Sequence, residues 1–511
     1  MNEMLGWLLD VYADEKQGLV LWIIGQDGSR HRLQQYFPVT FYVAGPFPRL
    51  REAWQFVKDH PIAAAMERER RRDLFIGPRD VLAIHVASAV QQPRLCRDLI
   101  RRFPELDYYD TDIPLAIRYA AVHDLFPLAH GRFIVDEANT IQDLEALDSP
   151  WHLETSTPPL KILTIEPDCD PQHADPRSVR IGSEEGKVRI PVRPLRSLLF
   201  SIRASLKRHD PDLILSQWGD TWLFPRLMQF CQEEGITYFN PNRDQERQAL
   251  QRDPNSYFTY GQVIHRGRQF HLYGRWHIDR RNAMMFAEYG LPGVLEQARV
   301  TGLPVQEIAR KSPGAGVTAM QMQTALRQGI LVPHLKQQAE QFKSVADLIR
   351  ADRGGLVYQP LVGLFRNVAE VDFLSMYPGL MVHFNISPET VGVQGQNSRL
   401  IPELGIPVDQ SHEGLVPATL RPLLAKRLAI KEQLATLGRR DCRTKPLKAR
   451  AAGLKWLLVV CFGYLGYKNA RFGRIEAHEA VTAYSRDVLL SAKETAEDLG
   501  YRILHMYVDA L

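Results

Sequence analysis

Val371-Asp372-Phe373-Leu374-Ser375-Met376-Tyr377-Pro378 sets an acidic residue at the end of an apolar run, and Pro378-Gly379 breaks the chain directly after it. A strand that stops on a carboxylate can hold a hard cation, because the next backbone carbonyl can point at the same spot. Tyr507-Val508-Asp509-Ala510-Leu511 is a second candidate of this kind, and a segment rich in Lys and Arg lies between the two. Two strand-borne Asp residues with a basic segment between them are what a two-metal phosphoryl-transfer site needs.

The bulk sequence narrows the setting. A chain of 511 residues is too long for one ordinary core, so three or more domains are expected. With 45% hydrophobic and 24% charged residues the composition is that of a soluble globular protein. A net charge of only +4 does not announce a nucleic-acid binder, so local charge distribution must carry that case. Cys96, Cys169, Cys231, Cys442 and Cys461 lack metal-ligand spacing and read as free thiols in a reducing compartment. No apolar stretch is long enough to span a bilayer. Glu3 replaces a basic leader and Asp10 cuts the first apolar run short, which excludes a signal peptide there. The expected location is cytoplasmic, with no membrane partner.

Residues 1–155 begin with strand-like runs at 18–25 and 37–43, separated by a turn at Asp27-Gly28. The mixed charge run at 66–73 reads as a solvated helix face or loop. Three later strands each end on acid: 160–165 before Glu166-Pro167-Asp168, 212–218 before Gly219-Asp220, and 273–278 before Asp279. Residues two apart on a strand share a face, so Glu166 and Asp168 can point one way. The layout suggests a ribonuclease-H-like sheet, although Asp is also a favoured turn residue. Ser312-Pro313-Gly314-Ala315-Gly316 reads as a linker before a helical segment, and Arg353-Gly354-Gly355 opens the last domain. Within 421–474 acid is nearly absent, Glu432 and Asp441 excepted, and such a local basic excess can hold polyanions.

Taken together these strings resemble family-B DNA polymerases, from Tyr109-Asp110-Thr111-Asp112-Ile113-Pro114 near the end of the family's N-terminal domain to the dense match from 353 to 511. The resemblance implies a mixed α/β multidomain chain: an N-terminal β-rich domain at 1–155, a 3′–5′ exonuclease-like domain at 156–345, a first palm part at 346–414, helical fingers at 415–477 and a second palm part at 478–511. By the family's pattern Asp372 and Asp509 would hold the metals, with the Phe373 carbonyl beside them. Tyr377, in a turn with Ser375, would lie beneath the incoming sugar and exclude a 2′-hydroxyl. Arg427 and Lys431, four apart on one helix face, would grip the triphosphate, although such pairs are commonly solvated surface. Lys455 would donate to the triphosphate and the leaving group. Phe462 and Gly463 would border the nascent base pair, although Trp456, Phe462, Tyr464 and Tyr467 equally suit a helix core. The implied cofactor is Mg2+, with Mn2+ as the alternative. The implied partners are primer-template DNA, deoxynucleoside triphosphates and replication or repair proteins.

The departures from the pattern point to the divergent branch described as inactivated. Leu511 stands where the family carries a second Asp. Val459, Val460 and Phe462 stand where it carries Asn, Ser and Tyr. Glu166-x-Asp168 reverses the usual Asp-x-Glu. The acid of the second exonuclease motif would fall at Leu223, leaving Asp220 as a displaced substitute, and 282–299 lacks a Tyr-x-x-x-Asp. The apolar end at Leu511 is expected to mark an incomplete polypeptide, since the family continues into a thumb. A DNA polymerase with weakened polymerase and exonuclease sites is the leading expectation. A catalytically inactive DNA-binding factor that keeps the fold is the alternative, and an exonuclease comes third.

Overall fold

The computed structural model describes residues 1–511 except 17, 260, 261, 340, 341, 352 and 439. The chain forms two compact units. One contains Met1–Phe37, Val122–Ser312 and Lys445–Gly453; the other contains Pro38–Ala121, Pro313–Thr444 and Leu454–Leu511.

The first unit holds two five-stranded sheets. One is antiparallel throughout, in the order Arg30–Gln35, Gly18–Gly25, Asn2–Asp14, His130–Val135, Ile141–Ala146. The second runs Gly186–Pro191, Ser178–Ser183, Ile162–Pro167, Leu213–Ser216, Trp276–Asp279. Its first three strands pair antiparallel, and its last two add in parallel. Numbered along the chain the order is 3-2-1-4-5, the ribonuclease-H-like arrangement. The cause is in the pattern. Ile162–Pro167 alternates half-buried and buried positions, as a period of two requires. Helix Leu195–His209 turns Leu198, Leu199, Ile202 and Leu206 to the same core. Each such side chain contributes about 1.5–3 kcal/mol when fully buried, and truncation of Ile202, which has no exposed surface, to Ala costs about 2–5 kcal/mol.

The second unit begins with a four-stranded antiparallel sheet, Ala64–Asp73, Gly77–Val86, Val39–Ala44, Asp107–Tyr109. The charge run expected as a helix face or loop is the edge strand of this sheet. It pairs residue by residue with Gly77–Val86 over its whole length. A hairpin partner ten residues long outweighs the weak β-propensity of Glu and Arg, and charges on an edge strand blunt edge-to-edge association. Arg68 meets Asp80 at 2.8 Å across the pair. The stretch expected as a linker is the first turn of helix Pro313–Arg327, where Pro at the first position costs no hydrogen bond.

Helices Met376–His383, Leu415–Thr436, the 454–465 part of Thr444–Leu465, and Ile475–Asp498 make up much of the rest of this unit, beside two short strand pairs. The last helix stops at Gly500, whose φ of +87° suits glycine, with Gly500 N–H donating to the Glu497 carbonyl at 2.9 Å. All five cysteines are free thiols, three of them buried.

Candidate active site

Residues 371–373 and 509–511 lie side by side in the second unit. Val371 N–H donates to the Leu511 carbonyl at 2.8 Å, Leu511 N–H returns to Val371 at 2.9 Å, and Phe373 N–H donates to the Asp509 carbonyl at 2.8 Å. Asp372 bridges Ala510 in the same ladder. This ladder carries Asp372 and Asp509 to one place from 137 positions apart in the sequence.

The expected strand over 501–508 is shorter than its apolar pattern suggests. Only Met506–Tyr507 pairs as a strand, against Val357–Tyr358. Asp509 sits in a tight turn closed by Tyr507 N–H to Ala510 O at 2.9 Å and Ala510 N–H to Tyr507 O at 3.1 Å. Val508 has a φ of +56° there, a left-handed conformation that is costly for a β-branched residue. Two interactions hold it: its N–H donates to the Leu356 carbonyl at 2.9 Å, and its side chain faces Gly355, where an added Cβ would come within 3.0 Å. Asp372 is exposed and Asp509 is half-buried. Burial, and then the negative charge of Asp372, raise the Asp509 carboxyl above its ordinary value. A like-charged pair of this kind gains from a cation between its members.

Cations face the pair. Arg427 is only 8% exposed and donates to the Ser375 hydroxyl. Burial alone lowers its affinity for its proton, and no carboxylate pairs with it among the described residues. Lys431, one turn on, has its pKa lowered by partial desolvation and then by Arg427 and Lys455, with Asp372 opposing. Asp372, Arg427, Lys431 and Lys455 are therefore electrostatic neighbours. Ser375 adopts a φ of +57° at the start of helix Met376–His383, which turns the chain sharply after Asp372.

Lys455 is exposed on helix Thr444–Leu465, and Phe462 lies seven residues on along the same face. Gly463 falls in the same helix. Phe462 is half-buried, 4.6 Å from the Tyr377 ring and stacked on His478 at 4.0 Å. These rings border a cavity of about 710 Å³ that also meets Gly354, Gly355, Glu479 and Thr482. Lys343 forms an ion pair with Glu479 at its edge. His478 and Lys343 were not among the sequence candidates. His478 belongs to a helix face readable only once its neighbours are known, and Lys343 comes from a segment without periodicity.

The acids of the first unit have other partners. Glu166 forms ion pairs with Arg280 and with Arg180, the latter at 3.7 Å. Asp168 accepts from Arg177 N–H and Ser178 N–H, each at 3.1 Å, from the Ser178 hydroxyl at 2.8 Å and from Arg189 at 3.1 Å. Burial would raise its pKa, but these bonds outweigh it and hold the carboxyl low. Asp220 does not join them. It is fully buried and accepts from Arg310 at 3.0 Å through both oxygens, from Phe270 N–H at 2.9 Å and from Asn282 at 2.9 Å. Against burial, Arg310 and His277 hold it far below the ordinary carboxylate range. Asp279 accepts from the N–H groups of Trp218, Asp220 and Arg281, all at 3.0 Å. Burial, then the Asp220 charge, raise its pKa. Among the described residues the acids grouped closely enough to share an ion with a third ligand are Glu67 and Glu69 with His85, on the edge hairpin.

Residues 304–508 match the model of DNA polymerase family B. The chain is 34% identical over 219 residues to DNA polymerase 2 of Saccharolobus solfataricus, which covers 43% of this chain and 32% of that protein. It is 24% identical to DNA polymerase 2 of Aeropyrum pernix, over 99% of this chain and 71% of that protein. In fold it is similar to the family B DNA polymerase of Pyrobaculum calidifontis, with a TM-score of 0.75, 21% identity, and coverage of 99% of this chain and 74% of that one. The match spans about a third of the first of these relatives. No helix among the described residues is long and apolar enough to cross a membrane.

Proposed function

We propose that the chain is a family-B DNA polymerase and that it carries out template-directed nucleotidyl transfer to a primer 3′-hydroxyl. The observation that supports this most is the ladder between 371–373 and 509–511, which sets Asp372 beside Asp509. Polymerases of this family generally use divalent metal ions. The donor set suits a hard cation: two neighbouring carboxylates, one with a raised pKa, and the Phe373 carbonyl next in sequence. Mg2+ is the proposed ion, with Mn2+ as the alternative. When bound it would supply charge stabilisation at the reacting phosphorus and acidify the primer hydroxyl.

The chain's own residues position and neutralise. Arg427, preset by Ser375 and without a competing carboxylate among the described residues, takes a triphosphate oxygen. Lys431 and Lys455 neutralise charge that builds on the leaving pyrophosphate. Tyr377 and Phe462 form an apolar wall for the sugar and nascent base pair. Primer-template DNA and deoxynucleoside triphosphates are the proposed substrates.

A second reading is a DNA-binding factor that keeps the fold without catalysis. Leu511 in place of a carboxylate, and Glu166, Asp168 and Asp220 each engaged by arginine, favour it. Primer extension in Mg2+ and in Mn2+, with Asp372→Ala as control, decides between the two. Extension lost in the variant supports transfer. DNA binding with no extension in either metal supports the non-catalytic factor.

A further inference from the structure

Three rings make a continuous column in the second unit. Tyr377 lies 4.6 Å from Phe462, and Phe462 stacks on His478 at 4.0 Å with the two planes 19° apart. A hydrogen bond fixes the stack. A carbonyl only accepts, so His478 Nδ1 donates to the Phe462 carbonyl, at 3.2 Å. That carbonyl falls in the last turn of helix Thr444–Leu465, where carbonyls lack a partner within the helix. The Gly466 N–H, which follows the helix, goes to the Tyr464 carbonyl. One imidazole therefore packs on the Phe462 ring and also pairs with the Phe462 backbone. Gly466 leaves room for it, since a Cβ there would come within 3.2 Å of the His478 ring.

Tyr377 is tied to the same helix as His478. Thr482 and Ser485 follow His478 by four and seven residues on Ile475–Asp498, so the three share a face. Burial raises the pKa of the Tyr377 hydroxyl, and a hydrogen bond with Ser485 opposes that rise. Helix Ile475–Asp498 thus anchors both rings of the Tyr377–Phe462 wall, one by stacking and one through a hydroxyl. We propose that His478 is a positioning residue for sugar selection: it holds Phe462 against Tyr377, and the wall so fixed leaves no room for a 2′-hydroxyl. This rests on the reading of Tyr377 and Phe462 as the wall for the sugar. Phe462 is only half-buried and borders the cavity of about 710 Å³. Without the imidazole behind it the ring is free to tilt into that space, and Tyr377 loses the neighbour that limits its own movement. His478 acts through Phe462 and needs no contact with the nucleotide.

The test measures affinity for dCTP and for CTP opposite a template guanine, on the full chain with a dideoxy-terminated primer-template in Mg2+. Wild type should prefer dCTP. His478→Ala should cut that preference by about twofold to tenfold, the worth of one aromatic contact, through a gain in CTP affinity. His478→Phe keeps a ring behind Phe462 and should restore most of the preference. A folding defect weakens both nucleotides alike, so the ratio separates the two causes. A second readout needs no nucleotide: the fluorine resonance of para-fluorophenylalanine at position 462 should shift in His478→Ala and move back in His478→Phe. An unchanged dCTP-to-CTP ratio in His478→Ala, an equal loss of both nucleotides, or an unmoved fluorine resonance overturns the proposal. A wild type that binds dCTP and CTP equally refutes the sugar wall and the role of His478 with it. A wild type that binds neither refutes nucleotidyl transfer itself.

Discussion

Arg310→Met should loosen the second sheet of the first unit far more than any surface change. Arg310 is 2% exposed and Asp220 fully buried. The guanidinium donates to both Asp220 oxygens at 3.0 Å, to the His277 carbonyl at 2.9 Å and to the Gln306 carbonyl at 3.1 Å. Methionine fills similar volume but leaves a buried carboxylate without its cation, which costs about 3–5 kcal/mol. Amide exchange in strands Leu213–Ser216 and Trp276–Asp279 should therefore accelerate by about two to four orders of magnitude. Asp220→Asn/Arg310→Met should recover about half of the loss or more, because the orphaned charge is gone. The pH dependence has a definite sign. The Asp220 carboxyl is depressed in the folded chain, so its stabilisation is complete above the unfolded value of about 3.9 and is lost as pH falls below it. The gap between wild type and Arg310→Met should narrow from about pH 7 to about pH 3. Exchange rates in Arg310→Met within a factor of about three of wild type would refute the reasoning, since that is well under about 1 kcal/mol.

Two further outcomes follow from the second unit. Burial and the charge of Asp372 raise the Asp509 pKa, so metal affinity should rise with pH through a midpoint above the ordinary Asp range, and Asp372→Asn should move that midpoint down; titration of Mn2+ binding against pH checks it. Ser375→Ala releases the Arg427 guanidinium, and loss of one charge-assisted hydrogen bond of about 1.5–3 kcal/mol should weaken nucleotide binding by about tenfold or more, seen by nucleotide titration with circular dichroism unchanged.

Much of the fold was legible from local pattern. The three apolar runs that end on acid, at Glu166-Pro167-Asp168, Gly219-Asp220 and Asp279, announced the sheet that the structure builds, and the helices that carry Arg427 and Lys455 were readable from spacing. What escaped depended on distant partners. Asp220 looked like a substitute catalytic acid, but Arg310, 90 residues on, makes it a buried ion pair. Arg280 closes on Glu166 across 114 residues in the same way. The charged run at 66–73 became a strand only because Gly77–Val86 presents a complete ladder to it. Asp509 looked like the end of a strand, yet Val508 is held in a left-handed turn by Leu356 and Gly355, neither of which its own segment reveals. Local pattern thus identified the residues that hold charge, while tertiary pairing decided which charges stay free.

Iron-mediated backbone cleavage tests the shared cation cradle most directly. Fe2+ in place of Mg2+, with ascorbate and peroxide, cuts the chain beside the bound ion. The account predicts cuts clustered at 371–373 and 509–511 that vanish in Asp372→Ala and on competition with Mg2+. Cuts at only one of the two segments, or cleavage unaffected by Asp372→Ala, would contradict it.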